Sequence, residues 1–142
     1  MTIAAILQNK GDEVLTVEAH VPVRDAMAIL AERRIGALPV LRKGMVAGIM
    51  SERDIIYRFS SDGAVILDWA VEKIMTAPAI TVTPEQQVMG ALSLMTKRRI
   101  RHLPVVENER IIGIVSIGDL VKYRMDRIEQ DAAAMLSYIQ SA

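Results

Sequence analysis

Short apolar runs rich in β-branched residues alternate along this chain with segments whose apolar residues recur every three or four positions. That is the pattern of strands and amphipathic helices in succession. Val14-Leu15-Thr16-Val17 reads as a strand, and Val23, Ala26, Met27 and Leu30 then share one face of a helix. Leu38-Pro39-Val40-Leu41 turns at Arg42-Lys43-Gly44 into a second apolar run, which predicts a hairpin. The order then returns: Ala79-Ile80-Thr81-Val82, a helix face of Val88, Ala91, Leu92 and Met95, and Leu103-Pro104-Val105-Val106 turning at Glu107-Asn108-Glu109.

Residues 14–58 recur without a gap as residues 79–123, and about 14 of the 45 aligned pairs are identical. The identities include Arg33-Arg34-Ile35 with Arg98-Arg99-Ile100, Leu38-Pro39-Val40 with Leu103-Pro104-Val105, and Gly48-Ile49-x-Ser51-x-x-Asp54 with Gly113-Ile114-x-Ser116-x-x-Asp119. Two copies of so small a unit predict a pseudo-symmetric pair sharing one core, with equivalent residues converging on a seam that can hold a ligand. The expected fold class is α/β (α+β): two β-α-β-β-α repeats packed through their sheets, with a long C-terminal helix. The expected division is an N-terminal helix and lead-in (1–13), repeat 1 (14–62), a linker (63–75), repeat 2 (76–124) and a C-terminal helix (125–142).

Local signals fill in this plan. Thr83-Pro84-Glu85 has a capping hydroxyl ahead of proline and predicts a helix start. Pro39 and Pro104 cannot donate to a sheet ladder, so each is expected at the start or edge of its strand, where backbone is free to face a ligand. Ser51-x-x-Asp54 and Ser116-x-x-Asp119 each close a strand and open a helix, so helix capping explains them without any ligand. Ser60-Ser61-Asp62-Gly63 reads as a turn, and Leu67 to Met75 as a short linking helix carrying Trp69. From Asp119 through Ser137 no residue breaks a helix, and Met125, Ile128, Ala132, Met135, Leu136 and Ile139 form an apolar stripe that needs a partner.

Lys+Arg 17 balances Asp+Glu 17, so no global field draws the chain to nucleic acid or anionic membrane. A hydrophobic content of 51% with 4% aromatics describes an aliphatic core, and the nine Met stand mostly at apolar helical or strand positions that fit core packing. With no Cys there is no disulfide framework, thiol nucleophile or thiolate metal site, which fits a cytoplasmic protein. The apolar N-terminus, Met1 to Lys10, is too short to span a membrane, lacks the basic flank of a signal peptide, and reads as a short helix packed on the body.

The doubled motifs identify the chain as resembling two CBS (cystathionine β-synthase) domains in one Bateman module, similar to small bacterial stand-alone CBS pairs. The resemblance implies two related clefts between the halves that bind adenosyl compounds: AMP, ADP, ATP, NAD(H) or S-adenosylmethionine. By position, the first cleft takes Ser116 and Asp119, with Lys10, Leu15, Gly36 and Ala37 near the base. The second takes Ser51, Arg53 and Asp54 with Thr76, Ile80, Arg101 and His102. A carboxylate can accept from both ribose hydroxyls, and a helix start suits phosphate. Small Gly36-Ala37 leaves the first cleft more room for a base, whereas the second offers more positive charge. The resemblance also implies a homodimer, and the readout falls to a changed dimer or an effector protein that the sequence does not name.

Other classes fit less well. The basic run Arg98, Arg99, Arg101, His102 raises nucleic-acid binding, but zero net charge and few aromatics oppose it, and Arg33-Arg34 repeats half of the run. Cations at a helix C-terminus explain the paired arginines. His20 and His102 lack metal-ligand spacing. No nucleophile motif or phosphate-binding loop is present, and two symmetry-related aspartates in like environments do not separate their pKa values, so no enzyme is expected. The competing reading is a constitutive dimerising or scaffolding module whose Ser-x-x-Asp motifs only cap helices.

Overall fold

The computed structural model describes residues 1–11 and 13–141, so Asp12 of the lead-in and Ala142 of the C-terminal segment lie outside the described residues. Helix α1 (Ile3–Lys10) precedes β1 (Val17–Glu18), α2 (Val23–Arg33), β2 (Ala37–Arg42), β3 (Met45–Ser51) and α3 (Glu52–Asp62). Two short 3-10 helices, Gly63–Asp68 and Val71–Lys73, lead to α4 (Val88–Arg98), β4 (His102–Glu107), β5 (Arg110–Ser116) and α5 (Ile117–Ser141). The mixed α/β architecture of two equivalent halves is the expected one.

The two hairpins superpose in register. Ala37 pairs Ser51 and Arg42 pairs Met45 in the first, as His102 pairs Ser116 and Glu107 pairs Arg110 in the second. Each carries a register shift at the same place, between Val40 and Leu41 and between Val105 and Val106. Both turn through two residues with positive φ, Lys43 and Gly44 in one and Asn108 and Glu109 in the other. Such turns match the right-handed twist of the strands they join.

Prolines trim the first strand of each half. β1 pairs parallel to β2, Val17 with Val40, and is two residues long. In the second half the expected strand Ala79–Val82 is reduced to a single bridge, Val82 to Val105. There Val82 donates to the Pro104 carbonyl and Val106 donates to the Val82 carbonyl. Pro104 has no N–H to extend the ladder toward Ile80. Beyond it Pro84 cannot make the bond that Ala19 gives Leu41 at 2.9 Å in the first half. Pro39 thus stands inside the central strand β2, whereas Pro104 stands in β4, an edge of its two-stranded sheet with only the Val82 bridge beside it.

The two halves exchange their lead-in segments. Trp69 to Glu72, which precedes the second half, lies on the first: Val23 donates to the Trp69 carbonyl, Val71 to Val21 and Glu72 to Ala19. Met1 to Ala4, which precedes the first half, makes the same three bonds to the second: Val88 to Met1, Ile3 to Gln86 and Ala4 to Pro84. Val71 and Ile74 fill the core of the first half, and Ile3 and Ile6 that of the second. A Cβ on Gly48 would lie 2.7 Å from the Met75 sulfur and the Thr76 carbonyl, and one on Gly113 2.6 Å from Leu7. Glycine at both places lets the exchanged segment approach the strand.

This arrangement corrects several expectations. The halves do not share one core: two buried clusters form, each built from one half and closed by the other's lead-in. The helix after Thr83 begins at Val88 instead, because the Pro84 and Gln86 carbonyls and the Val88 N–H are bonded to the N-terminal segment. Leu67 to Met75 is no regular helix, since Trp69 to Glu72 runs along the first half and separates two 3-10 turns. Ser60 to Asp62 complete α3, with Gly63 at φ 77° ending it. Met27 is 36% exposed, while Val23, Ala26 and Leu30 on the same helix are buried.

Gly44 occupies the second turn position of the first hairpin, whereas the second hairpin holds Glu109 there at φ 64°. A side chain in the left-handed region costs roughly 1–2 kcal/mol. Glu109→Gly is therefore expected to raise unfolding free energy by about 1 kcal/mol, measured by urea denaturation, with no change in secondary structure.

Candidate functional site

Each Ser-x-x-Asp motif sits where a hairpin strand becomes a helix. The Asp54 N–H donates to Ser51 Oγ at 3.3 Å, and the Ser51 N–H and hydroxyl donate to Asp54 Oδ2 at 2.8 and 3.1 Å. The second motif repeats this, with the Asp119 N–H bonded to Ser116 Oγ at 3.1 Å and the Ser116 N–H to Asp119 Oδ2 at 2.8 Å. Both motifs cap their helices, and each capping box engages only one carboxylate oxygen. The other oxygen, Oδ1, remains for the seam. The Glu52 N–H donates to the Gly36 carbonyl and the Ile117 N–H to the Arg101 carbonyl, which fixes each helix start against the head of its own hairpin.

A cavity of about 140 Å³ lies on the Asp54 side of the seam. All seven residues expected of the second cleft line it: Ser51, Arg53, Asp54, Thr76, Ile80, Arg101 and His102. Ala37, expected in the first cleft, lines it too. Its size is near the ~150 Å³ of an apolar cavity that admits one benzene ring. Asp54 Oδ1 accepts from the Thr76 hydroxyl at 2.9 Å. Arg53 donates to the Arg99 carbonyl at 3.2 Å, and Arg101 pairs with Glu52 at 2.9 Å, so guanidinium groups from both halves are held at the rim. Bidentate recognition of phosphate is what such groups do well.

In the first cleft the aspartate is engaged by the chain's own lysine, beside a cavity of about 240 Å³ lined by Lys10, Asp119, Lys122 and Tyr123. Lys10 Nζ donates to Asp119 Oδ2 at 2.7 Å and to the Ile114 carbonyl at 2.8 Å. The His102 ring packs on Gly36, where an added Cβ would meet its Cε1 at 3.1 Å. Leu15 packs against the core of the first half. The small residue at Gly36 admits the opposite half's imidazole, and Gly36 and His102 line a cavity of about 450 Å³ that Asp119 does not line. Ser116, Asp119 and Lys10 come together, but Gly36 and Ala37 serve other surroundings.

The difference between clefts begins in the lead-ins. Pro78 cannot continue a helix and forces extended backbone before it, so Thr76 bridges Ile49 through two hydrogen bonds of 2.9 and 3.0 Å. The N-terminal lead-in stays helical through Lys10, and the lysine ammonium takes the Ile114 carbonyl that a bridging strand would have used. Sequence reasoning missed Ile49, Pro78, Ala79, Arg99 and Ile100 of the cavity lining. Ile49 is legible as an identical position of the repeat, and Arg99 reads in the sequence as part of a basic run and as a helix-end cation.

Burial pushes the Asp119 carboxyl up, but hydrogen bonds from Lys10 and the Ser116 N–H, together with the lysine charge, outweigh it and leave the group below the ordinary carboxylate range. The His102 imidazole is held below its usual value by burial first, then by Arg101 and Lys10, against the opposing pull of Glu52 and Asp119.

A family model described as CBS domain matches residues 10–61 and again residues 71–126. The chain belongs to the CBS domain family. Its tandem CBS pair is 35% identical over 148 residues to the mitochondrial CBS domain-containing protein CBSX3 of Arabidopsis thaliana, covering 98% of this chain and 72% of that one. The CBS-domain protein ATU1752 from Agrobacterium tumefaciens superposes with a TM-score of 0.83 at 36% identity, over 87% of this chain and 99% of that one. The CBS pair of protein MJ0100, solved in complex with 5′-methylthioadenosine and S-adenosyl-L-methionine, gives a TM-score of 0.79 at 25% identity, over 89% and 98% of the two chains. Among the described residues, no helix of the CBS pair is long and apolar enough to cross a membrane.

A histidine whose folded pKa lies below its unfolded value binds its proton more readily in the unfolded chain. Its contribution is therefore unfavourable once the pH drops below about 6.5, the unfolded value. Thermal midpoints should fall between pH 7 and pH 5, and His102→Gln should flatten that slope. An unchanged slope in His102→Gln would remove His102 as its source.

Proposed function

We propose that this CBS pair is a regulatory, non-enzymatic module that binds an adenosyl nucleotide on the Asp54 side of the seam. It then acts through ligand-dependent conformation or an effector protein. The observation that carries the reading is one cavity faced by a carboxylate, three arginines and apolar residues from both halves. Adenosine phosphates ask for those parts: Ile49, Ile80 and Ile100 for the base, Asp54 for ribose hydroxyls, Arg53, Arg99 and Arg101 for phosphate. Thr76 already presents a hydroxyl to Asp54 Oδ1, so a ribose would exchange one hydroxyl for another. The MJ0100 pair, solved with two adenosyl compounds, supports the ligand class.

A ligand touching Asp54 from the first half and Ile80 and Arg101 from the second favours one mutual arrangement of the halves, and that preference is the means of signalling. The Lys10–Asp119 ion pair engages the carboxylate of the other cleft, which makes the Asp54 side the first to fill.

Thermal midpoints and calorimetric titrations with AMP, ADP, ATP, NAD(H) and S-adenosylmethionine, against guanosine controls, test the reading. At about 100 times the dissociation constant a ligand adds ~2.7 kcal/mol and raises the midpoint by several degrees. Asp54→Asn should weaken any adenosyl ligand by about tenfold to a hundredfold. Arg53→Ala should weaken only those bearing phosphate. No midpoint shift with any compound would leave the constitutive scaffold as the better account.

One ligand per chain is expected in the unmodified protein. Lys10→Met, by releasing Asp119, should admit a second ligand in the same titration. A stoichiometry unchanged by Lys10→Met would show that the ammonium does not close that cleft.

A further inference from the structure

The cavity beside Asp54 measures about 140 Å³, room for a base but too little to bury a nucleotide, since small-molecule sites run to roughly 300–1,000 Å³. The rest of a bound ligand must extend beyond it. A second cavity of about 450 Å³ shares a wall with the first, because Arg101 and His102 line both. Its floor is apolar, made by Leu30, Ala31 and Ile35 at the end of α2, and Arg34 and Glu52 stand in its lining.

The two cavities join at Gly36. A Cβ there would lie 3.1 Å from His102 Cε1 and 3.6 Å from a Glu52 carboxylate oxygen, so the missing side chain lets both converge. At the same junction Arg101 of the second half donates to Glu52 of the first at 2.9 Å. Both partners are about half exposed, so the pair contributes little to stability and rearranges at small cost. The equivalent positions of the repeat hold Gly36 and Ile117, so this pair has no counterpart at the other cleft.

We propose that the two cavities take the two nucleosides of one dinucleotide, with its pyrophosphate at Arg101. This rests on the reading of the Asp54 side as an adenosyl site and names the ligand class within it. Pyrophosphate draws Arg101 from Glu52, because a guanidinium grips two phosphate oxygens at once and two negative charges outcompete one carboxylate. Glu52 is then free, and it serves the second cavity as Asp54 serves the first, as a carboxylate that accepts from both hydroxyls of a ribose. The second base lies on Leu30, Ala31 and Ile35. A nucleoside triphosphate would set its terminal phosphates against that apolar floor and beside the Glu52 charge, so the lining favours a nucleoside there over phosphate. Because Glu52 and Arg101 come from different halves, the dinucleotide replaces a direct bond between the halves with one through itself.

Calorimetric titration of the full chain with AMP, ADP, ADP-ribose, NAD+ and diadenosine diphosphate tests this. ADP carries the pyrophosphate without a second nucleoside, and ADP-ribose adds only the second ribose. ADP-ribose should bind about tenfold tighter than ADP, and NAD+ and diadenosine diphosphate, which add a second base, tighter still. Glu52→Ala should abolish the gain of ADP-ribose over ADP while tightening ADP itself, since Arg101 loses its competitor. Ala31→Phe fills the second cavity from an exposed helix position. It should weaken both dinucleotides about tenfold and leave AMP unchanged, which also reports an intact fold. AMP binding with no gain from ADP to ADP-ribose, or a loss on Ala31→Phe as large for AMP as for NAD+, would overturn the second subsite and leave the adenosyl site standing. No binding of any compound would remove both.

Discussion

Neither half closes its own core. The backbone of α2 and α4 begins with groups that only an outside segment can satisfy, and that segment comes from the chain preceding the opposite half. Each lead-in also delivers two buried aliphatics, Val71 and Ile74 or Ile3 and Ile6. At about 1.5–3 kcal/mol for each buried side chain, a lead-in supplies a large share of the 5–15 kcal/mol that holds a typical domain together. The mutual dependence of the halves therefore comes from the exchanged segments more than from a merged interior.

The same exchange sets the chemistry of the seam. Both lead-ins arrive beside a glycine in the third hairpin-and-helix strand, Gly48 in β3 or Gly113 in β5, and both then pass the aspartate that caps the next helix. From there they differ. Extended backbone before Pro78 presents the Thr76 hydroxyl to Asp54, whereas helical backbone through Lys10 presents an ammonium to Asp119. Pseudo-symmetry in the backbone thus yields two chemically unequal places. Proline in one lead-in stands where the other has lysine, and proline cannot continue a helix.

Much of this was legible from the repeat. The hairpins and the helix faces through Val23, Ala26 and Leu30 or Val88, Ala91 and Met95 follow from matching one half to the other, and the family resemblance implied the gathering of Arg53, Asp54, Ile80 and Arg101. What escaped was held by long-range contacts. Thr83-Pro84-Glu85 has every local mark of a helix start, yet the N-terminal segment takes its carbonyls and delays the helix to Val88. The likeness of Met1 to Leu7 to Trp69 to Met75 is faint in side chains and clear only in hydrogen bonding. Room at Gly36 was judged from residue size alone, and nothing local reveals that the His102 ring of the other half rests on it.

The crossed lead-ins carry a consequence for ancestry. A chain holding a single repeat and a single lead-in would leave its own core open, but two such chains could each lend an arm to the other and make the same hydrogen bonds between molecules. Duplication and fusion of that ancestor would preserve every contact while replacing a concentration-dependent assembly with a covalent one. Once the two arms were encoded separately, they were free to diverge, and a symmetric pair of sites could become one whose aspartate meets a hydroxyl and one whose aspartate meets a lysine.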